Sequence, residues 1–113
     1  MNKSHWVVDT GASDHMTGST TTLDNFQIGD KDLTVLMADG TQSLVKGKGS
    51  VCVADLLIES VLHVPNLSCN LLSVSKLTRD LDCIVTFFPS YCIFQDRSSR
   101  KVIGSVEEND GLY

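Results

Sequence analysis

WVVDTGAS, residues 6–13, is an apolar stretch that runs into an aspartate and then breaks at a glycine. Val7 and Val8 are β-branched and favour a half-buried strand, so Asp9 falls where the strand gives way to a turn. Gly11 allows other backbone to approach that turn closely. The pattern predicts a carboxylate held at the rigid end of a strand, although aspartate and glycine also occur together in plain strand-to-turn connections.

Size and charge limit the kind of protein that this is. The 113 residues suffice for one domain, 1–113, and are too few for two. Nine Lys and Arg against 14 Asp and Glu give a formal net charge of −5, the wrong sign for a nucleic-acid surface. No apolar run approaches the about 18 residues of a membrane span, and the start of the sequence lacks a signal-peptide pattern. We expect a soluble cytoplasmic domain that binds neither membranes nor nucleic acid directly.

The cysteines and histidines do not have the spacing of a metal site. The sequence contains no Cys-x-x-Cys pair, and no histidine has a second ligand at a suitable distance along the chain. The cysteines lie in apolar surroundings, where a free thiol behaves as a small hydrophobic side chain. The even count allows disulfides, but the apolar surroundings favour four buried free thiols, and the sequence predicts no metal and no cofactor. The cysteines are Cys52, Cys69, Cys83 and Cys92.

Short β-branched runs separated by Gly, Asp, Asn and Pro recur along the sequence and predict an all-β fold. Apolar residues at helical spacing occur in one segment, Leu71–Leu81, which predicts one short helix in the C-terminal half. Residues 17–32 predict a polar connection with two apolar anchors, Phe26 and Ile28. Further strands are predicted at 56–64, ended by Pro65, and at 82–88, 91–96 and 102–106.

A hairpin is predicted in the middle of the chain. Residues 33–37 and 42–53 form its two arms, and an Asp-Gly turn at residues 38–41 closes it. Gly47 and Gly49 weaken regular pairing in the second arm and predict a bend or a bulge there. By itself, this pattern fits a surface hairpin with a kink.

Two stretches carry a resemblance to a known family. WVVDTGASDHMTG, residues 6–18, resembles the active-site loop of the retropepsin-type aspartic proteases, and in this longer form the protease of copia-type LTR retrotransposon Gag-Pol polyproteins. VLHVPNLSCNLLSVSKL, residues 61–77, resembles the second retropepsin signature, a strand and turn followed by two apolar residues and a small one before a helix. The small residue is usually glycine and is Ser73 here. The terminal DGLY, residues 110–113, is similar to the junction toward the integrase part.

The resemblance implies a retropepsin-like closed β-barrel in which the hairpin is the flap over the substrate. It also implies a catalytic loop of Asp9, Thr10 and Gly11, with Thr10 bracing two such loops and Gly11 contacting the substrate backbone. A structural role for Asp14, as a plain turn or helix-cap residue, explains it as well as substrate contact does. The substrate-binding residues implied on the loop and at the flap tip are Ala12, Ser13, Asp14, Ala38, Asp39 and Gly40.

A single carboxylate cannot serve as general acid and general base at once, whereas two aspartates about 3 Å apart share one proton and titrate as a unit. The chain has one Asp-Thr-Gly, so an aspartic protease of this kind must be a symmetric homodimer that shares one active site. The two Asp9 side chains would then activate a water that attacks a peptide bond. The substrates would be peptide segments of the chain's own polyprotein, and cleavage would take place in the cytoplasm within virus-like particles. The other hypothesis is a β-barrel binding or assembly module that has the fold without turnover.

Overall fold

The computed structural model describes residues 5–29, 33–109 and 111–113. These residues form strands, one single-turn 3-10 helix at Thr20–Thr22 and one α-helix. The strands are β1 (Trp6–Asp9), β2 (Met16–Thr17), β3 (Asp24–Ile28), β4 (Thr34–Leu36), β5 (Gln42–Leu44), β6 (Gly47–Val53), β7 (Leu56–His63), β8 (Asn70–Ser73), β9 (Cys83–Phe87), β10 (Tyr91–Asp96) and β11 (Val102–Glu107), and the helix is α1 (Val74–Leu81). Of the predicted all-β fold with one short helix, the structure confirms a mostly-β domain with one α-helix, and α1 is too short and too polar to cross a membrane.

The largest sheet has six strands in the order β1-β8-β2-β7-β6-β3. β8 runs parallel to β1, so that Val8 lies beside Leu72 and Asp9 beside Ser73. On its other side β8 pairs antiparallel with β2 through Leu71 and Met16. Strand β8 is therefore inserted between two strands that are close in sequence, and residues 10–15 arch over its C-terminal end.

The predicted helix at Leu71–Leu81 begins later in the structure, because its first residues belong to β8. Asn70, Leu72 and Ser73 are buried in that strand, and Leu72 packs in the main core. The helix begins at Val74, with the Ser73 hydroxyl accepting the N–H of Lys76 as an N-cap. It ends at Leu81, and the C-cap residue Asp82 has a left-handed backbone (φ 49°) and donates its N–H to Thr78 O. Pairing with β1 and β2 thus overrides the helical spacing of the apolar residues.

The C-terminal strands form a separate antiparallel sheet, β11-β10-β9, in the predicted positions. Phe94 is fully buried between this sheet and the main core. All four cysteines are free, but the prediction that all four are buried is wrong for Cys52, which is exposed on β6. Cys69 is half-buried, whereas burial raises the thiol pKa of Cys83 and of Cys92.

The predicted hairpin is present but shorter, as the two-stranded sheet β4–β5. Its second arm does not continue to residue 53, because the chain leaves β5 after Leu44 and starts β6 at Gly47, which pairs with β3 and β7 instead. A Cβ atom at Gly47 would lie 2.3 Å from Gln27 O and 2.6 Å from Phe26 Cζ. Glycine at this position therefore lets β3 pack on β6, and the predicted bulge is confirmed between Gly49 and Val51.

Residues 17–32 are not merely a polar connection, since they contain the 3-10 turn and edge strand β3; residues 30–32 lie outside the described residues. Phe26 packs against the core and meets the His63 ring edge-on, with 5.8 Å between centroids. Ile28 is 87% exposed and is not an anchor, because β3 is the last strand of the sheet and Ile28 ends it.

The expected closed barrel is not present. Among the described residues the six-stranded sheet ends at β1 and β3, and these two strands do not pair. Val8 N–H donates instead to the carbonyl oxygen of Tyr113, 2.7 Å away, and the Tyr113 ring packs edge-on against Phe87. The C-terminal residues thus cover the outer side of β1, which a closed barrel would give to another strand.

Candidate active site

The predicted catalytic carboxylate lies at the C-terminal end of β1. Asp9 is half-buried, and its Oδ1 accepts the N–H of Gly11 at 2.7 Å. A Cβ at position 11 would stand 3.3 Å from that same oxygen, so glycine allows the close turn. Thr10 and Gly11 are exposed. The turn is thus held by its own carboxylate and faces away from the core.

Ser73 ties this loop to the rest of the domain from behind. It is fully buried, and its hydroxyl donates to Ala12 O at 2.7 Å while accepting the N–H of Lys76 at 3.1 Å. One side chain therefore joins the loop, strand β8 and helix α1. A glycine, the usual residue at this place in the resemblance, has no hydroxyl and could make neither bond.

His15 ends the loop and is buried, with 1% of its surface exposed. Its Nδ1 accepts the N–H of Ser73 at 3.0 Å, and its carbonyl oxygen accepts the N–H of Leu62 at 2.9 Å. Burial, and then the positive charge of Lys76, lower the pKa of His15 from 6.5 to about 4, against the opposing charges of Asp80 and Asp14. Because the unfolded chain binds this proton more readily, stability present above pH 6.5 is lost as the pH falls toward 4.

A second buried hydrogen bond fixes the other end of β8. Thr17 Oγ1 donates to Asn70 Oδ1 at 2.6 Å, and Asn70 Nδ2 donates to His5 O at 2.9 Å. Thr17 and Asn70 are both buried. Since a buried polar group is costly unless it is paired, these bonds favour one register of β8 between its neighbours.

The implied substrate-binding residues of the loop lie together after the turn. Ala12 is half-buried, and Ser13 is exposed and donates to Asp14 Oδ2 at 3.2 Å. Asp14 is a bend residue and caps no helix in the described part of the chain, where Ser73 caps α1. Of the two structural alternatives for Asp14, the turn is therefore the one found.

The implied flap-tip residues Ala38, Asp39 and Gly40 are all exposed. Asp39 Oδ1 accepts both the hydroxyl of Thr41 (2.6 Å) and its N–H (2.9 Å), which lowers the pKa of Asp39. Gly40 has a φ of +88°, the positive value that an Asp-Gly turn needs. No hydrogen bond joins this tip to the Asp9 loop within the described ranges, so the structure does not bring the two sets together by direct bonding.

The base of the hairpin is nevertheless close to the strand that leaves the loop. Val35 of β4 packs against the small core cluster of Met16, Val45 and Val64. Met16 follows directly after His15, so the hairpin is anchored on β2. In the part of the chain that the structure describes, no three His, Cys, Asp or Glu side chains come together as metal ligands.

Nothing in the sequence pattern marks His15, Thr17 or Asn70 as functional, and Ser73 stands out only as a departure from glycine. The available signal was weak: a histidine and a threonine flank the apolar Met16, a pattern that any exposed turn also produces. Their importance comes from burial and from partners more than 50 positions away in the sequence.

A half-buried carboxylate at a strand end, braced from behind by Ser73, defines a loop-based candidate site on a mostly-β domain. Residues 6–81 match the family described as the Pol polyprotein, beta-barrel domain, and the chain belongs to this family.

Three curated relatives are similar to the chain. It is 29% identical, over 99% of its length, to the retrovirus-related Pol polyprotein from transposon RE2 of Arabidopsis thaliana, and 28% identical over 99% to that from transposon RE1. It is 37% identical, over 69% of its length, to the retrovirus-related Pol polyprotein from transposon TNT 1-94 of Nicotiana tabacum. The chain spans only 6–8% of the length of these relatives.

We predict that Ser73→Ala lowers the free energy of unfolding by about 2 kcal/mol, because it removes a helix N-cap and a buried hydrogen bond to Ala12 O. Urea denaturation at pH 7 measures this change. Ser75→Ala is the control, since among the described residues the Ser75 hydroxyl hydrogen-bonds only to that of Ser73, and its loss should cost less than about 0.5 kcal/mol. Equal midpoints for the two variants would show that Ser73 does not brace the loop.

Proposed function

We propose that the chain is one half of an aspartic endopeptidase that processes a retrotransposon polyprotein. The observation that carries this proposal is the placement of Asp9: one carboxylate at a strand end, in a turn closed by Gly11 N–H and supported by Ser73. An aspartate pair needs its carboxylates held at a defined separation, and a loop braced in this way supplies such rigidity.

The chemistry requires a second copy of the chain. Two carboxylates about 3 Å apart cannot both ionise, so a pair of this kind shares one proton between its two members. The ionised member takes a proton from a water that attacks the scissile carbonyl carbon, while the protonated member donates to the carbonyl oxygen. Each chain contributes a single Asp-Thr-Gly, and a twofold axis between the two loops brings the pair together.

The neighbouring residues in this proposal are exposed or half-buried at the surface, where each could meet a partner loop or substrate. Thr10 and Gly11 are exposed at the turn, where Thr10 would brace the partner loop and Gly11 would contact substrate backbone. Ala12, Ser13 and Asp14 continue the same surface. At the hairpin, Ala38, Asp39 and Gly40 are exposed at the tip and would close over the peptide as a flap.

The substrate in this proposal is an extended peptide segment of the chain's own polyprotein. The family, which is named for Pol polyproteins, supports this proposal. So do the relatives, which are Pol polyproteins more than ten times as long as the part that the chain matches. The site of action would be the cytoplasm, within virus-like particles. The net charge of −5 favours a peptide over nucleic acid as the partner.

A binding or assembly domain without turnover is the second candidate. One observation favours it: Tyr113 O already accepts the Val8 N–H, next to Asp9, on the outer side of β1. Because Tyr113 already binds this edge of β1, fewer of its backbone groups are available to pair with a second copy of the chain. The following experiments separate the two candidates.

We predict that Asp9→Asn abolishes cleavage of a peptide drawn from the polyprotein, because the change is nearly isosteric and removes only the ionisable group. Cleavage is followed at pH 4–7, with and without pepstatin, and folding by urea denaturation. Asp24→Asn is the control, since Asp24 is exposed on β3 and its loss should leave turnover unchanged. Comparable turnover in Asp9→Asn would exclude Asp9 as the catalytic group.

An excess of Asp9→Asn chain should suppress the activity of the unmodified chain, because mixed dimers contain only one ionisable aspartate. At a ninefold excess, random pairing leaves about one tenth of the unmodified chains in active dimers. The measurement is specific activity of a fixed amount of unmodified chain against added variant. The matched control adds Asp24→Asn chain, which should raise activity. Indifference to the added Asp9→Asn chain would contradict a shared active site.

The hairpin tip should change its hydrogen exchange on ligand binding. We predict that amides 37–43 exchange fast in the free protein, since the tip is exposed in a two-stranded sheet, and become protected by a peptidic transition-state analogue. Amides of Val61 and Leu62, in the interior of the six-stranded sheet, serve as a reference that stays protected throughout. Fast exchange at the tip that the inhibitor leaves unchanged would mean that this hairpin is not a flap.

A further inference from the structure

A cavity of about 400 Å³ lies behind the Asp9 loop, between β7 and α1. Its walls include the His15 ring, Glu59 of β7, and Lys76 and Asp80 of the helix. Lys76 Nζ and Asp80 Oδ2 form an ion pair of 3.2 Å within this wall. His15 is therefore the buried group through which the loop contacts the cavity.

The two ring nitrogens of His15 have different surroundings. Nδ1 accepts the N–H of Ser73, so the neutral ring carries its hydrogen on Nε2. Nε2 makes no hydrogen bond to any described residue, although the ring lines the cavity. A proton that reaches the ring from solvent must therefore bind Nδ1. That atom already accepts the hydrogen bond from the Ser73 N–H.

The His15 ring is linked to Asp9 by a short series of contacts. Ser73, whose N–H donates to Nδ1, lies beside Asp9 in the parallel register of β1 and β8. The Ser73 hydroxyl then holds Ala12 O, three residues after Asp9. A movement of Ser73 away from the ring would therefore move both the strand beside Asp9 and the loop that carries it.

Protonation of the ring would break the first of these contacts. In the neutral ring Nδ1 accepts the N–H of Ser73. A hydrogen on Nδ1 would make this atom a donor that faces the Ser73 N–H, and two donors repel each other. The charges around the ring come from three elements: Lys76 opposes protonation, and Asp80 on the same helix and Asp14 on the loop favour it. Glu59 on β7 is a further carboxylate on the cavity wall. Burial opposes protonation most strongly and keeps the ring neutral above about pH 4.

We propose that His15 is a positioning residue for the Asp9 loop: as a neutral acceptor it holds Ser73 in place, and its protonation releases Ser73 and sets an acid limit on activity. The acid limit rests on the proposed endopeptidase function. The positioning role rests on the contacts alone, so the two can be tested separately.

The first test measures kcat/KM for the polyprotein peptide from pH 3 to 7. His15→Asn keeps an acceptor near the position of Nδ1 but cannot ionise, whereas His15→Phe keeps a ring and removes the acceptor. At pH 6, we expect kcat/KM of His15→Asn to stay within a few-fold of the value for the unmodified chain. At pH 3, one pH unit below the pKa of the ring, we expect it to be about tenfold higher than that of the unmodified chain. His15→Phe should lose activity at every pH. The control His5→Asn removes an exposed histidine and should keep the original profile.

The second test needs no activity. In Asp9→Asn protein, NMR follows the His15 ring nitrogens and the Ser73 amide from pH 3 to 7, and both signals should change together with one midpoint near pH 4. A Ser73 amide that does not respond while the ring titrates, or a His15→Asn profile with the original acid limit, overturns the proposal. Joint titration in the Asp9→Asn protein, combined with an unmodified chain that does not cleave the peptide, overturns the proposed function and supports the positioning role.

Discussion

The insertion of β8 between β1 and β2 is the interaction on which the rest of the structure depends. β1 has four residues and β2 only two, too few to hold their connecting loop in place by themselves. β8 gives hydrogen-bonding partners to both strands and buries Leu72 beside Val8. Because β8 continues directly into α1 through Ser73, the same insertion also places the helix behind the loop.

Buried polar groups select the register of that insertion. The Thr17–Asn70 bond lies at one end of β8 and the His15–Ser73 bond at the other. A slip of one residue would break both bonds and turn Leu72 away from the core. The cost of burying four polar side chains is offset by this pairing, and the result is a loop with one defined position. His15 makes that position sensitive to acid, since only its neutral ring can accept the Ser73 N–H.

The six-stranded sheet is open in the described part of the chain, with β1 and β3 as its edges. The C-terminal Tyr113 covers part of β1, and β3 ends at an exposed Ile28. The β4–β5 hairpin stays a sheet of its own and is attached through Val35, beside Met16. Among the described residues, the hairpin's packing on the rest of the domain is through Val35, next to the strand that leaves the Asp9 loop, while its tip is exposed.

The sequence by itself determined what depends on neighbours along the chain: β1 ending at Asp9, the Asp39-Gly40 turn, the end of β7 before Pro65 and the C-terminal meander. Alternation, β-branched residues and turn chemistry act over a few positions, so they can be recognised locally. The tertiary structure decided whether residues 70–73 extend or coil, whether the sheet closes, and what His15 does. The spacing of apolar residues around 70–73 fits both a strand and a helix. His15 contacts Ser73 only because the fold brings together positions that are 58 residues apart.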